Sequence, residues 1–242
     1  QPVVALDDRH VIAFEALVRW RHPERGLLLP ASFIDAAERS GAIIDLGRAV
    51  FDQAFRQTVE WRRAGSDVTV AVNLSTRQLA DPALVDDITA TLAKSGLDPN
   101  ALWLEVTETA LVEDLDQATD FLERLAALGI GIAIDDFGTG WASLTYLKQF
   151  PVHALKIDQT FVAGIDHNPH DAAIARSIVS LAEELDMIVI AEGVETVAQQ
   201  RALQALGCSI GQGFLYGRPS PAAGVPLERA NRLPGTATTH AS

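Results

Sequence analysis

The chain has 242 residues, a formal net charge of −13, 48% hydrophobic residues and one cysteine, Cys208. That length and apolar fraction suit one large domain with a sizeable core, while the charge excludes a broad DNA or RNA surface, which needs a basic patch. The lone cysteine excludes an internal disulfide and points to a reducing, cytoplasmic setting, and neither a membrane-length apolar run nor a signal-peptide pattern is visible.

The chain opens abruptly at Gln1-Pro2, as a domain cut from a longer protein would. Residues 1–6 and 11–20 read as two strands joined by the polar turn Asp7-Asp8-Arg9-His10. Glu15 lies inside the apolar run of the second, an unusual place for a carboxylate. Residues 21–29 read as a loop. Pro30 opens a helical segment that Gly41 stops, and a longer helix is predicted over 43–64, closed by Gly65. A buried strand over 68–74 carries Asn73, and a helix over 82–94 follows. The strand over 102–106 holds Glu105, with Glu108 just past it, and a helix over 116–128 ends at Gly129.

Residues 129–140 read Gly-Ile-Gly-Ile-Ala-Ile-Asp-Asp-Phe-Gly-Thr-Gly. This is the pattern of a parallel strand buried on both faces, and it ends in the paired acids Asp135 and Asp136 before a glycine-rich loop. Further strands are predicted over 152–157, carrying Lys156 with Asp158 beyond it, over 187–191, followed by Glu192, and over 209–214, holding Gln212. Helices are predicted over 172–185 and 197–206, with a closing helix over 221–231. From 233 the Thr, Ala, Gly and Pro composition predicts a disordered tail, so the domain is placed at 1–232.

Strand and helix alternate almost throughout, the signature of parallel βα units. Their number and the chain length favour a (β/α)8 TIM-type barrel over an open sheet. The short turn at residues 7–10 forbids a parallel crossover, so one antiparallel strand is expected near the N-terminus.

In such a barrel, residues at the carboxyl ends of strands converge on one mouth. Here they are Glu15, Asn73, Glu105, Asp135, Asp136, Lys156, Glu192 and Gln212. Taken singly, each has a plain structural reading: Glu15 paired with Arg19, Asn73 capping a helix, Lys156 paired with Asp158, Gln212 satisfying backbone. Taken together, five carboxylates repel one another unless cations stand between them. Hard oxygen donors suit Mg²⁺ or Mn²⁺. Two such ions about 3.5–4 Å apart, bridged by Asp135, could activate water for in-line attack on phosphorus. Lys156 could orient that water or offset developing charge.

These residues sit in motifs that resemble the EAL domain, the bacterial cyclic di-GMP phosphodiesterase module. The matching pieces are Gln1-Pro2, Glu15-Ala16-Leu17 with Val18-Arg19-Trp20, Asn73-Leu74-Ser75, Glu105-Val106-Thr107-Glu108, Asp135-Asp136-Phe137-Gly138-Thr139-Gly140, Leu155-Lys156-Ile157-Asp158, Ala191-Glu192-Gly193-Val194-Glu195 and Gln212-Gly213-Phe214. The loop after the paired acids reads Gly-Trp-Ala-Ser-Leu where Tyr-Ser-Ser-Leu is commoner, and Val106 stands for the usual Leu; neither change removes a ligand.

The resemblance implies hydrolysis of cyclic di-GMP to linear pGpG with two Mg²⁺ or Mn²⁺ ions, inhibited by Ca²⁺. By motif position, Glu15, Asn73, Glu105 and Asp135 would hold the first metal. Asp135 and Asp136 would hold the second, with Glu192 as ligand or base. Lys156 would position the nucleophilic water. Glu108 would support the loop after Asp136, which in this family couples the site to a dimer interface, so a homodimer is expected. Gln1, Arg19, Gln212 and Asp158 would contact substrate. The full-length protein would carry sensor or cyclase domains. The alternatives are a catalytically silent cyclic di-GMP receptor and a dimerising regulatory module.

Overall fold

A computed structural model of the chain describes residues 1–112, 115–139 and 147–225. In chain order its strands are β1 (Pro2–Ala5), β2 (Val11–Ala16), β3 (Trp20–His22), β4 (Gly26–Leu28), β5 (Thr69–Leu74), β6 (Leu102–Thr107), β7 (Gly131–Phe137), β8 (Ala154–Ile157), β9 (Ile188–Ala191) and β10 (Ile210–Gln212). Eight of them close into a barrel in the order β1-β10-β9-β8-β7-β6-β5-β2. All neighbours are parallel except β1, which runs antiparallel to both β2 and β10. The cause is local. The turn after β1 is too short for a crossover, Arg9 takes a left-handed φ of 61° there, and the Ala5 amide donates to the His10 carbonyl at 3.0 Å.

The strand predicted over 11–20 stops at Ala16. The expected loop over 21–29 instead contains most of a separate antiparallel hairpin, β3–β4, with Trp20 opposite Leu28. Its turn is made by the His22 ring, whose Nδ1 accepts from the Glu24 and Arg25 amides at 3.1 and 3.2 Å. A short helix, Glu108–Val112, follows β6 directly. The two paired acids lie within β7, whose register against β8 shifts between Ile134 and Phe137. Of the closing helix predicted over 221–231, the described part is one 3-10 turn, Ala222–Gly224. Residues 140–146, which hold the end of the glycine-rich loop, and the tail from 226 lie outside the described residues. No helix among the described residues is long and apolar enough to cross a membrane.

The period of two along each strand separates two cores. Outward residues such as Val70, Val72, Leu102, Leu104, Ile132, Leu155 and Val189 meet the helices, including Phe51 and Phe55 of the long helix Ile43–Arg63. Inward residues Val3, Ala13, Ala71, Trp103, Ala133, Ala154, Ile190 and Ile210 form a smaller cluster, which Ile12 of β2 also joins. Trp103 fills the barrel floor, and its neighbours must be small: a Cβ on Gly131 would lie 2.4 Å from the indole ring. The next inward position on these strands is the polar one: Gln1, Glu15, Asn73, Glu105, Asp135, Lys156, Glu192 and Gln212. The apolar floor thus carries a layer of charged and amide side chains at the mouth.

Candidate active site

Lys156 is the centre of that layer. Its side chain is 1% exposed, and its Nζ lies 2.7 Å from Glu105, 2.7 Å from Glu192 and 3.1 Å from Asp135. These partners come from β6, the end of β9 and β7, so only barrel closure brings them together. The ion pair with Asp158 that sequence alone left open is not the one formed.

A second network surrounds Glu15. Its carboxylate accepts from Asn73 Nδ2 at 2.6 Å and from Gln212 Nε2 at 2.5 Å. Gln212 Nε2 also donates to Gln1 Oε1 at 3.1 Å. These two bonds fix the orientation of the Gln212 amide and leave its buried Oε1 with no hydrogen-bond partner among the described residues. Arg19 is not paired with Glu15; its guanidinium donates to the Val18 carbonyl at 2.8 Å. The helix after β5 is capped by Ser75, which leaves Asn73 to the mouth.

The third group is Asp136 with its supports. Asp136 takes a left-handed φ of 53°, an uncommon conformation for a non-glycine residue that recurs at functional sites. Its amide donates to Asp135 Oδ1 at 3.0 Å, and its carbonyl accepts from Thr139 Oγ1 at 2.8 Å. Glu108, buried at the start of its short helix, accepts from the Gly138 amide at 3.2 Å and so tethers the loop that follows Asp136. Asp158 caps the helix Gln159–Ala163, accepting from the amide and hydroxyl of Thr160 through Oδ1. Thr160 was missed in the sequence; the Asp-x-Thr spacing of a capped turn is the signal that marks it.

The electrostatics follow from burial. Burial and the charges of Glu15 and Asp135 hold the Glu105 carboxyl well above its usual range despite Lys156. Burial and Asp135 push Glu192 up to about 7 against the pull of Lys156. Burial, Asp135 and a hydrogen bond with Asp158 push Asp136 up to about 6. Burial opposes a charge on Glu15, but Lys156 and the amides of Gln212 and Asn73 win and lower it. Burial also opposes the Lys156 ammonium, and the surrounding carboxylates overcome it and raise it well above the usual value. One ammonium is too little positive charge for this set of acids.

That shortage tests whether divalent cations fit. Asp135, Asp136 and Glu192 each offer a ligand oxygen, all within 4.8 Å of one another. Every donor in the layer except Lys156 is a carboxylate or an amide, the chemistry of a hard cation. The residues present fit Mg²⁺ or Mn²⁺.

The sequence matches the EAL domain family over residues 1–219. The chain belongs to that family. The bifunctional diguanylate cyclase/cyclic di-GMP phosphodiesterase MucR of Pseudomonas aeruginosa is 47% identical over 223 residues, 92% of this chain and 33% of MucR. Cyclic di-GMP phosphodiesterase NbdA of the same organism is 44% identical over 93% of this chain and 29% of NbdA. The chain therefore spans about a third of the curated relatives it matches. Among solved structures, a MucR phosphodiesterase–c-di-GMP complex superposes with a TM-score of 0.89 at 47% identity, covering 92% of this chain and 91% of that one. The FimX EAL domain from Pseudomonas aeruginosa bound to c-di-GMP gives 0.82 at 27% identity, covering 91% of this chain and 88% of that one. The barrel with its inverted first strand is the EAL fold.

Proposed function

We propose that this EAL domain hydrolyses one phosphodiester bond of cyclic di-GMP to give linear pGpG, lowering the level of that second messenger. The observation that carries the reading is the buried Lys156 held among Glu105, Asp135 and Glu192 with Asp136 alongside. A merely structural lysine would need one such partner, and the excess of acids is what a cationic centre for a phosphodiester requires. The named activities of MucR and NbdA support the same substrate.

Glu15, Asn73, Glu105 and Asp135 would hold one divalent cation, and Asp135, Asp136 and Glu192 the other. When bound, Mg²⁺ or Mn²⁺ supplies Lewis acidity and a water of lowered pKa. The protein's own groups do the rest. Lys156 stays charged and offsets negative charge developing at phosphorus. Gln212 and Asn73 fix the Glu15 carboxylate by direct hydrogen bonds. Glu192, beside Lys156, takes the proton of the attacking water as its oxygen bonds to phosphorus, and a proton returns to the ribose oxygen as its bond to phosphorus breaks, so that it leaves as a hydroxyl. Gln1, Arg19, Asp158 and the unpartnered Oε1 of Gln212 face the substrate, and Glu108 holds the loop after Asp136 in place.

The catalytic unit extends over residues 1–232. It works as a homodimer inside a longer cytoplasmic signalling protein with sensor or cyclase domains. Chromatography of the reaction products tests the activity. Glu15→Ala and Asp135→Ala each abolish pGpG formation while keeping the wild-type circular dichroism spectrum; unchanged turnover in either variant would refute the assignment of ligands.

A further inference from the structure

The seam between β7 and β8 is built differently from its neighbour. Ala133 pairs with Ala154 and Ile134 with Leu155, but the next pair is Phe137 with Ile157. Two residues of β7, Asp135 and Asp136, therefore oppose one residue of β8, Lys156. This is a β-bulge, a device that re-aims side chains beside functional sites. Here it sets two acids against the ammonium at the centre of the mouth. By contrast, β6 and β7 pair without interruption from Trp103–Gly131 to Thr107–Asp135.

A bulge persists only if the pairing on both sides of it is held, because sliding the strands by one residue would remove it. Above it, Glu108 holds the Gly138 amide. Below it, the chain enters β8 from a bend in which the Val152 amide bonds back to the Phe150 carbonyl at 2.8 Å. The His153 amide then donates to the Ile132 carbonyl at 2.9 Å, and the Ile188 amide of β9 donates to the His153 carbonyl at 2.9 Å. The amide of the fully buried Ile132 finds its acceptor in a side chain, His153 Nδ1 at 3.2 Å. The ring nitrogen stands where a strand carbonyl would. Trp103 of the barrel floor lies edge-on to the ring, with centroids 6.1 Å apart. Burial lowers the pKa of His153, so the imidazole is neutral near pH 7 and carries its proton on Nε2.

We propose that His153 is a positioning residue: its ring clamps the β7–β8 register from below and so keeps Asp135 and Asp136 bulged against Lys156. The clamp sits three residues before Lys156, about 10 Å along the strand, and acts only through the two strands. Its kinetic consequence rests on the phosphodiesterase reading above; its structural consequence does not. An oxygen at the δ position can replace Nδ1, so His153→Asn keeps an acceptor, whereas His153→Leu leaves the Ile132 amide buried without one.

The test has two arms. In the metal-free protein, thermal midpoints are measured for the wild-type chain, His153→Leu, His153→Asn, Lys156→Met and the two double variants. His153→Leu should lower the midpoint by about 2–12 °C, the effect of one unsatisfied buried amide in a domain of this size, and His153→Asn should lose less. Lys156→Met should then lower it by at least about 2 °C less in the His153→Leu background than in wild type or His153→Asn, because sites this far apart are otherwise additive. In Mn²⁺, His153→Leu should lower kcat for cyclic di-GMP about 10- to 100-fold with KM within about threefold, the scale of a misplaced catalytic group, and His153→Asn should restore it. Phe55→Leu, a core change on the β5 side of the barrel, should lower the midpoint and leave kcat intact. An equal loss from Lys156→Met in all three backgrounds, wild-type kcat in His153→Leu, or a His153→Asn variant as impaired as His153→Leu would each overturn the clamp. So would a kcat loss in Phe55→Leu that matches His153→Leu. No turnover by the wild-type chain would remove the phosphodiesterase reading, while the midpoints would still decide the clamp.

Discussion

Replacing Lys156 by methionine keeps most of the buried stem and removes the ammonium. In the metal-free protein this leaves Glu105, Asp135 and Glu192 facing one another without the cation that now lies 2.7–3.1 Å from each. Breaking a buried ion pair by deleting one partner costs about 3–5 kcal/mol. For a domain of this size each kcal/mol moves the melting midpoint by roughly 2–4 °C, so a fall of about 6–20 °C is expected. The effect has a pH signature. Glu105 and Glu192 already sit above their usual values because of burial, and losing Lys156 raises them further. A carboxyl raised in the folded state contributes stability that is fully present below its unfolded value and lost as pH rises through its folded value. The variant should therefore lose least near pH 5, where these groups are protonated, and most at pH 7.5. Thermal unfolding with chelator at both pH values measures this. An unchanged midpoint at pH 7.5, or a deficit equal at the two pH values, would refute the reasoning.

Three further outcomes follow from the same geometry. Glu192→Gln should flatten the pH dependence of the metal-free protein between pH 5 and 7.5, because a rise from 4.5 to about 7 corresponds to about 3 kcal/mol lost over that window; an unaltered slope in chemical denaturation would contradict it. Glu108→Ala removes the acceptor of the Gly138 amide and should lower turnover by loosening the loop after Asp136; a variant with normal rate and normal metal dependence would argue against that role. Gly131→Ala forces a methyl to within 2.4–2.8 Å of the Trp103 ring and should cost about 1–3 kcal/mol of stability by overpacking, read as a lower denaturation midpoint.

The barrel was legible because its strands are short apolar runs with glycine and proline at their ends, and the short turn at residues 7–10 forced β1 to run backwards. The members of the polar layer were legible one at a time as acids and amides at strand ends. Their partners were not. Lys156 meets Glu105, 51 residues away in the chain, only because β6, β7 and β8 are successive neighbours in a closed sheet. The β3–β4 hairpin was hidden because Phe14 to Trp20 reads as one continuous strand, while the His22 ring that makes its turn gives no pattern of its own. The last strand was read to Phe214 but ends at Gln212, because the close approach of Gly213 to the Val194 backbone is a tertiary fact.

The most direct measurement is hydrolysis of cyclic di-GMP by the purified chain in Mg²⁺, Mn²⁺, Ca²⁺ and chelator, with products separated by chromatography. Linear pGpG should form in Mg²⁺ or Mn²⁺ and be absent in Ca²⁺ and in chelator. Binding without any product in Mg²⁺ or Mn²⁺, or turnover that survives the chelator, would contradict a metal-dependent phosphodiesterase built around Lys156 and its acids.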